Sequence, residues 1–112
     1  MSRVNESVLA RRLLVMQRDA SLAIANLEAE ILTLHQDPEA LGKARRKLVV
    51  AQMRYSEVTC AIHRVADGSF GYCKLTTKRI DAETLYRNPA SRFSREALEI
   101  LRKRGYVEES AG

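Results

Sequence analysis

Two thiols and two imidazoles, Cys60, Cys73, His35 and His63, are the side chains of this 112-residue chain best suited to hold a soft metal or to act as nucleophiles. Cys60 and His63 are three residues apart, a spacing that makes them neighbours on a helix. Cys73 is the natural third member of such a set. A closed structural zinc site needs four N or S ligands in a tetrahedron, so a fourth is missing. Neither histidine belongs to an evident nucleophile–base–acid set, and Ser69, Thr76 and Ser94 fall in turn-like segments. The chain carries no phosphate loop, no carboxylate pair with an evident cleft and no triad spacing. This inventory argues against an enzyme.

The charged residues are more informative. Asp37-Pro38-Glu39-Ala40 is a helix start: Asp37 can accept from free backbone N–H groups, Pro38 loses nothing at the first helical position, and Glu39 meets the positive end of the helix dipole. A basic run follows at once, Lys43, Arg45, Arg46 and Lys47. It opposes the dipole there at a few tenths of a kcal/mol (roughly) per charge, and suits contact with acidic protein surface or nucleic-acid phosphate.

Two long helical patterns flank this turn. Leu9, Leu13, Met16, Ala20, Ile24, Leu27, Ile31 and Leu34 recur at steps of three and four, which predicts a helix over about 6–36. Leu41, Ala44, Leu48, Ala51, Tyr55, Val58, Ile62 and Val65 predict a second over about 38–66. Each stripe needs a partner, and the short connection makes the two helices each other's, antiparallel. Gly68 closes the second arm. Ser69 to Arg79 reads as turns or a short hairpin, Ile80 to Tyr86 as a short helix, and Arg95 to Arg104 as a last helix capped by Ser94 or a neighbour. Phe70, Tyr72, Ile80, Leu85, Phe93, Leu98 and Leu101 are the expected core of this second part, with Val107 to Gly112 frayed. The fold class is mostly α: a two-helix coiled-coil hairpin over 1–67, its tip near 36–42, then a small head and C-terminal helix over 68–112.

Composition agrees. Charged residues form 29% of the chain and aromatics only 5%, a balance that favours long helices over a compact mixed domain. The formal net charge of +5 draws the chain to acidic surfaces without choosing among them. No apolar run approaches the roughly 20 residues needed to span a bilayer, and the N-terminus lacks the layout of a signal peptide. A cytoplasmic protein with reduced cysteines is expected.

Val65, Asp67, Phe70-Gly71-Tyr72-Cys73, Ile80, Leu85 and Pro89 are in register with a known pattern. Here the chain resembles the DksA/TraR family of bacterial regulators that bind RNA polymerase. In that family a coiled-coil hairpin leads into a head with four zinc-binding cysteines in two C-x-x-C pairs. The resemblance places those positions on Cys73, Thr76, Ser94 and Ala97, of which only the first is a thiol. It therefore implies a degenerate, zinc-free finger held by apolar contacts and hydrogen bonds. It further implies that the tip enters the polymerase secondary channel, where family members use an Asp-x-x-Asp-x-Ala pattern. Asp37 matches the first Asp, while Ala40 and Gly42 stand at the other two positions. Family members act with the alarmone ppGpp in the stringent response. The corresponding positions are Glu57, Asn88 and Leu98, none of them cationic, so no cofactor is expected.

The function implied is transcription regulation through direct polymerase binding, by a monomer without sequence-specific DNA contact or membrane attachment. Two rivals are a coiled-coil adaptor that associates through exposed residues such as Val15 and Val49, and a nonspecific nucleic-acid binder driven by the basic run.

Overall fold

Each helix of this protein begins at a residue whose short polar side chain closes the first turn. The structure is a computed structural model and describes residues 4–105. α1 (Glu6–Thr33) starts at Asn5, whose Oδ1 accepts from the Val8 N–H at 3.2 Å. α2 (Pro38–Asp67) starts at Asp37, which accepts from the Ala40 N–H at 3.1 Å. α3 (Ala82–Arg87) and α4 (Arg95–Lys103) start at Asp81 and Ser94, which accept from the N–H groups of Thr84 and Ala97. Such caps contribute roughly 1 kcal/mol each.

α1 and α2 form the expected antiparallel hairpin. The helix predicted to reach Gln36 stops instead at Thr33. Two local causes explain the earlier stop. The chain must reverse before Pro38, and a residue preceding proline is driven out of the helical region; Asp37 is extended at φ −128°. The Thr33 hydroxyl also donates to the Glu30 carbonyl at 2.7 Å, and the Asp37 N–H closes the turn on the Leu34 carbonyl at 3.0 Å. At the other end α2 stops on Gly68, whose φ of +82° a β-carbon would strain. The Arg64 carbonyl there accepts from the N–H groups of Gly68, Ser69 and Phe70.

The core sits where rod meets head. Leu9, Leu13, Val58 and Ala61 of the rod are fully buried, together with Phe70, Cys73, Ile80, Leu85, Ala90 and Ala97 of the head. Burying one such leucine contributes about 1.5–3 kcal/mol. Toward the tip only Ala20 and Ala44 reach full burial, and Leu27, Ile31, Leu41 and Leu48 are half-buried. Two helices cover each other on one side only, and the head covers a further face of α2 near its end. That second face explains the burial of Ala61 and Arg64, which the three-four stripe does not contain. Tyr55, a stripe residue, is 37% exposed.

Polar bonds pin the pieces. Gln17 Nε2 donates to Thr59 Oγ1 at 3.0 Å across the rod, which sets the register of the two helices. Arg12 Nη1 donates to the Tyr86 carbonyl at 2.8 Å, and the Tyr86 hydroxyl accepts from the Asn5 N–H at 2.8 Å. Arg64, buried on α2, donates to the Ala90 carbonyl at 3.3 Å. Burial lowers its pKa, and Cys60 and Asp67 partly offset the effect. The molecule measures 54 × 33 × 22 Å. No helix among the described residues is long and apolar enough to cross a membrane. Val107 to Gly112, expected to fray, lie outside the described residues.

Candidate partner-binding tip and head

The tip is a tight turn presented at the far end of the rod. Asp37, Pro38 and Glu39 are exposed and Ala40 is half-buried. One Asp37 oxygen is committed to the Ala40 N–H, and the carboxylate as a whole faces outward. Its role as a cap is therefore certain from geometry, and its charge remains accessible to a partner. The basic run after it divides. Arg46 and Lys47 border a hollow between the two helices, opposite Ala20, Ala23 and Leu27, whereas Lys43 and Arg45 do not line it. All four are exposed.

In the head, Gly71 (φ +89°) turns the chain into a short hairpin. Tyr72 and Arg79 form an isolated antiparallel bridge, the Cys73 N–H donates to the Lys78 carbonyl at 2.7 Å, and the Ile80 N–H donates to the Gly71 carbonyl at 2.7 Å. Tyr72, expected in the core, is instead 41% exposed. Successive residues of a bridged strand point to opposite sides, so with Cys73 inward Tyr72 must face out. There it lies under the Arg79 guanidinium, 5.5 Å from the ring centre. Phe93, Leu98 and Leu101, also expected in the core, are only half-buried.

The four positions singled out in the head do come together. Cys73 is 2% exposed, Ser94 and Ala97 are buried, and Thr76 closes the turn. Cys73 Sγ accepts from the Thr76 N–H at 3.5 Å and from the Ser94 N–H at 3.4 Å. Burial by itself pushes the thiol pKa up. Hydrogen bonds from the Thr76 hydroxyl and from the N–H groups of Ser94, Thr76 and Leu75 outweigh it and bring the pKa from 9.0 down to about 6. Backbone N–H groups are thus aimed at the Cys73 sulfur and favour its thiolate form.

The rest of the donor set does not fit zinc. Ser94 Oγ accepts from the Ala97 N–H at 3.1 Å as the cap of α4, Thr76 Oγ1 accepts from the Lys78 N–H at 3.3 Å, and Ala97 offers a methyl group. One thiolate and two engaged hydroxyls do not make a tetrahedral N/S site. The alternative set is not assembled: no group of three or more His, Cys, Asp or Glu converges on a metal position among the described residues. Cys60 and His63 face solvent while Cys73 is buried.

Asp81 links the two short helices. One oxygen takes the N–H and hydroxyl of Thr84, and the other accepts from the Arg95 N–H at 3.3 Å. The Thr84 hydroxyl is the main cause of a lowered Asp81 pKa. Asp67 is lowered likewise, first by the Ser69 hydroxyl. Of the three positions that the resemblance matched to alarmone contacts in the family, Asn88 and Leu98 share one hollow, lined also by Arg87, Arg95 and Arg102, and Glu57 lines another, beside Arg92. One cluster had no signal in sequence spacing. Arg11, Arg12, Arg54 and Arg87, from three separate segments, gather around Val15, Met16 and Pro89.

A long antiparallel hairpin with a thiol-bearing turn and a short C-terminal helix packed as a head defines a DksA/TraR-like fold. Among solved structures, the transcription factor DksA2 from Pseudomonas aeruginosa is similar over 90% of this chain and 85% of that one, with a TM-score of 0.81 and 21% sequence identity. No protein-family model matches the chain, and no curated protein matches it.

Proposed function

We propose that this protein regulates transcription by binding RNA polymerase directly. The rod enters the secondary channel, the head rests on its rim, and the turn from Asp37 to Ala40 alters the stability of promoter complexes. The observation that carries this reading is the DksA/TraR-like architecture over nine-tenths of the chain. An exposed acidic turn at the end of a rod in a molecule 54 Å long supports it further. The head serves as a metal-free support: hydrogen bonds to the Cys73 sulfur and the Ser94 cap do what four metal ligands do elsewhere. Glu57, Asn88 and Leu98, at the positions that the resemblance matches to alarmone contacts, supply no cation, which speaks against synergy with ppGpp. It acts in the cytoplasm as a monomer and reads no DNA sequence.

Pull-down with purified polymerase, joined to measurement of promoter-complex lifetime, tests this. Asp37→Ser separates the two roles of the tip, because serine keeps the cap and removes the charge. The expected result is unchanged melting, retained binding and a changed effect on lifetime. Absence of polymerase binding by the wild-type chain, or a lifetime effect indifferent to Asp37→Ser and to removal of the turn, overturns the reading.

A further inference from the structure

On one flank of the rod, α1 and α2 leave a hollow floored by Ala20, Ala23 and Ala51 and walled by Leu27 and Val50. Alanines keep the floor low, and Val50 stands 67% exposed beside it. Arg46, Lys47 and Arg54 border this hollow. Nearer the head a second hollow opens over Val15, Met16 and Pro89, bordered by Arg11, Arg12, Arg54 and Arg87. Arg54 belongs to both, and Met16 and Ala20 lie one turn apart on α1, so the two form one continuous seam. From Arg11 to Leu27 it runs about 24 Å at the helical rise.

The charged residues that line the two hollows have one sign, and Asp19, on the same stretch of α1, is paired with Arg18. No Asp or Glu lines either hollow. Arg87 pairs with Glu83 at 3.1 Å and Arg12 is held by the Tyr86 carbonyl. Arg11, Arg46, Lys47 and Arg54 have no carboxylate within ion-pair distance among the described residues. An apolar floor bordered by cations, four of them outside any ion pair among the described residues, is the complement of a helix with an apolar stripe and carboxylates beside it. A nucleic acid would gain from the cations but would waste the floor, and no aromatic side chain lines the seam for a base to stack on. A second copy seated by the same face would set Arg54 and its neighbours against themselves.

We propose that this seam is a docking groove for an acidic amphipathic helix of a partner protein. It lies on the flank of the rod, apart from the tip at Asp37 to Ala40, and is open to such a helix when the rod is not seated in a channel.

Fluorescence anisotropy with the full chain tests the proposal. The probe is a labelled helical peptide of about 20 residues, long enough to lie along the seam, with leucines at steps of three and four and glutamates beside them. Controls are the same peptide with lysine for glutamate and a short DNA duplex. The glutamate peptide is expected to bind, and to bind less tightly as salt rises. Arg46→Glu with Arg54→Glu should weaken it by about tenfold or more, while helical content holds because both residues are exposed. Val50→Asp, a separate test of the apolar wall, should weaken it as well. No binding of the glutamate peptide, equal binding of its lysine twin, or indifference to Arg46→Glu with Arg54→Glu overturns the proposal. So does tighter binding of the duplex that is lost in that variant.

Discussion

Shifting pH across the Cys73 titration should change the stability of the whole head. In the unfolded chain the thiol keeps its proton until pH nears 9.0, whereas in the fold it releases it from about 6. Between those values the unfolded state binds more protons. Stability therefore rises with pH through this window, and the contribution is lost as pH falls through about 6. Integrated from about pH 6 to about pH 8, the gain is on the order of 2 kcal/mol. For a domain of this size that corresponds to a urea midpoint higher by roughly 1–2 M. The assay is urea unfolding in reducing buffer at three pH values, for wild type, Cys73→Ala and Cys60→Ala. Cys73→Ala should be less stable at the upper pH and lose the rise, while Cys60→Ala, at an exposed position, should keep it. His35 and His63 remain in all three proteins, so whatever they contribute cancels in the comparison. A wild-type midpoint that is flat or falls from the lower to the upper pH would refute the reasoning. So would a rise of full size in Cys73→Ala.

Other outcomes follow from the same geometry. Thr76→Cys, Ser94→Cys and Ala97→Cys together complete four thiols on positions that already converge. That variant should take up one zinc per chain and melt lower in chelator, whereas melting of the wild type should ignore chelator. Thr77 occupies the left-handed region at φ +61°, unfavourable for a branched side chain, so Thr77→Gly should raise stability by up to about 1 kcal/mol, read as a higher melting temperature. Leu13→Ala, at a fully buried rod position, should cost about 2–5 kcal/mol in urea unfolding, while Leu32→Ala, at a residue 79% exposed, should fall within about 0.5 kcal/mol of wild type. Asp81→Ala removes acceptors for Thr84 and Arg95 and should cost about 1–2 kcal/mol, with the loss largest well above its lowered pKa and vanishing in acid.

The rod was legible because its evidence is local and periodic. Stripes at steps of three and four and an Asp-Pro start need no tertiary information, and Asp37, Gly68 and Ser94 are all caps or stops where the residue types place them. What escaped depends on a second segment arriving. Ala61 and Arg64 are buried by the head, which no pattern within α2 reports. Tyr72 looks like core by composition and is turned outward by the bridge to Arg79. Ala90 and Ala97 are buried although small residues give little hydrophobic signal. The site divides in the same way. The tip could be read from a contiguous run, and so could the four head positions once a family frame was available. The basic run is visible as Lys43 to Lys47, but only the fold shows that Arg46, Lys47 and Arg54 share a flank with Arg11, Arg12 and Arg87.

The uneven burial along the hairpin makes it a cantilever. Leu9, Leu13, Val58 and Ala61 clamp one end, and beyond them only the small Ala20 and Ala44 are buried while the larger contacts are half-covered. A beam fixed in this way bends least at its root and most at its end. Amide exchange should accordingly be slowest around Val58 and quicken steadily toward Leu34 and Asp37. Under the proposed function, compliance would then be greatest at the end that meets the partner and least where rod and head share a core.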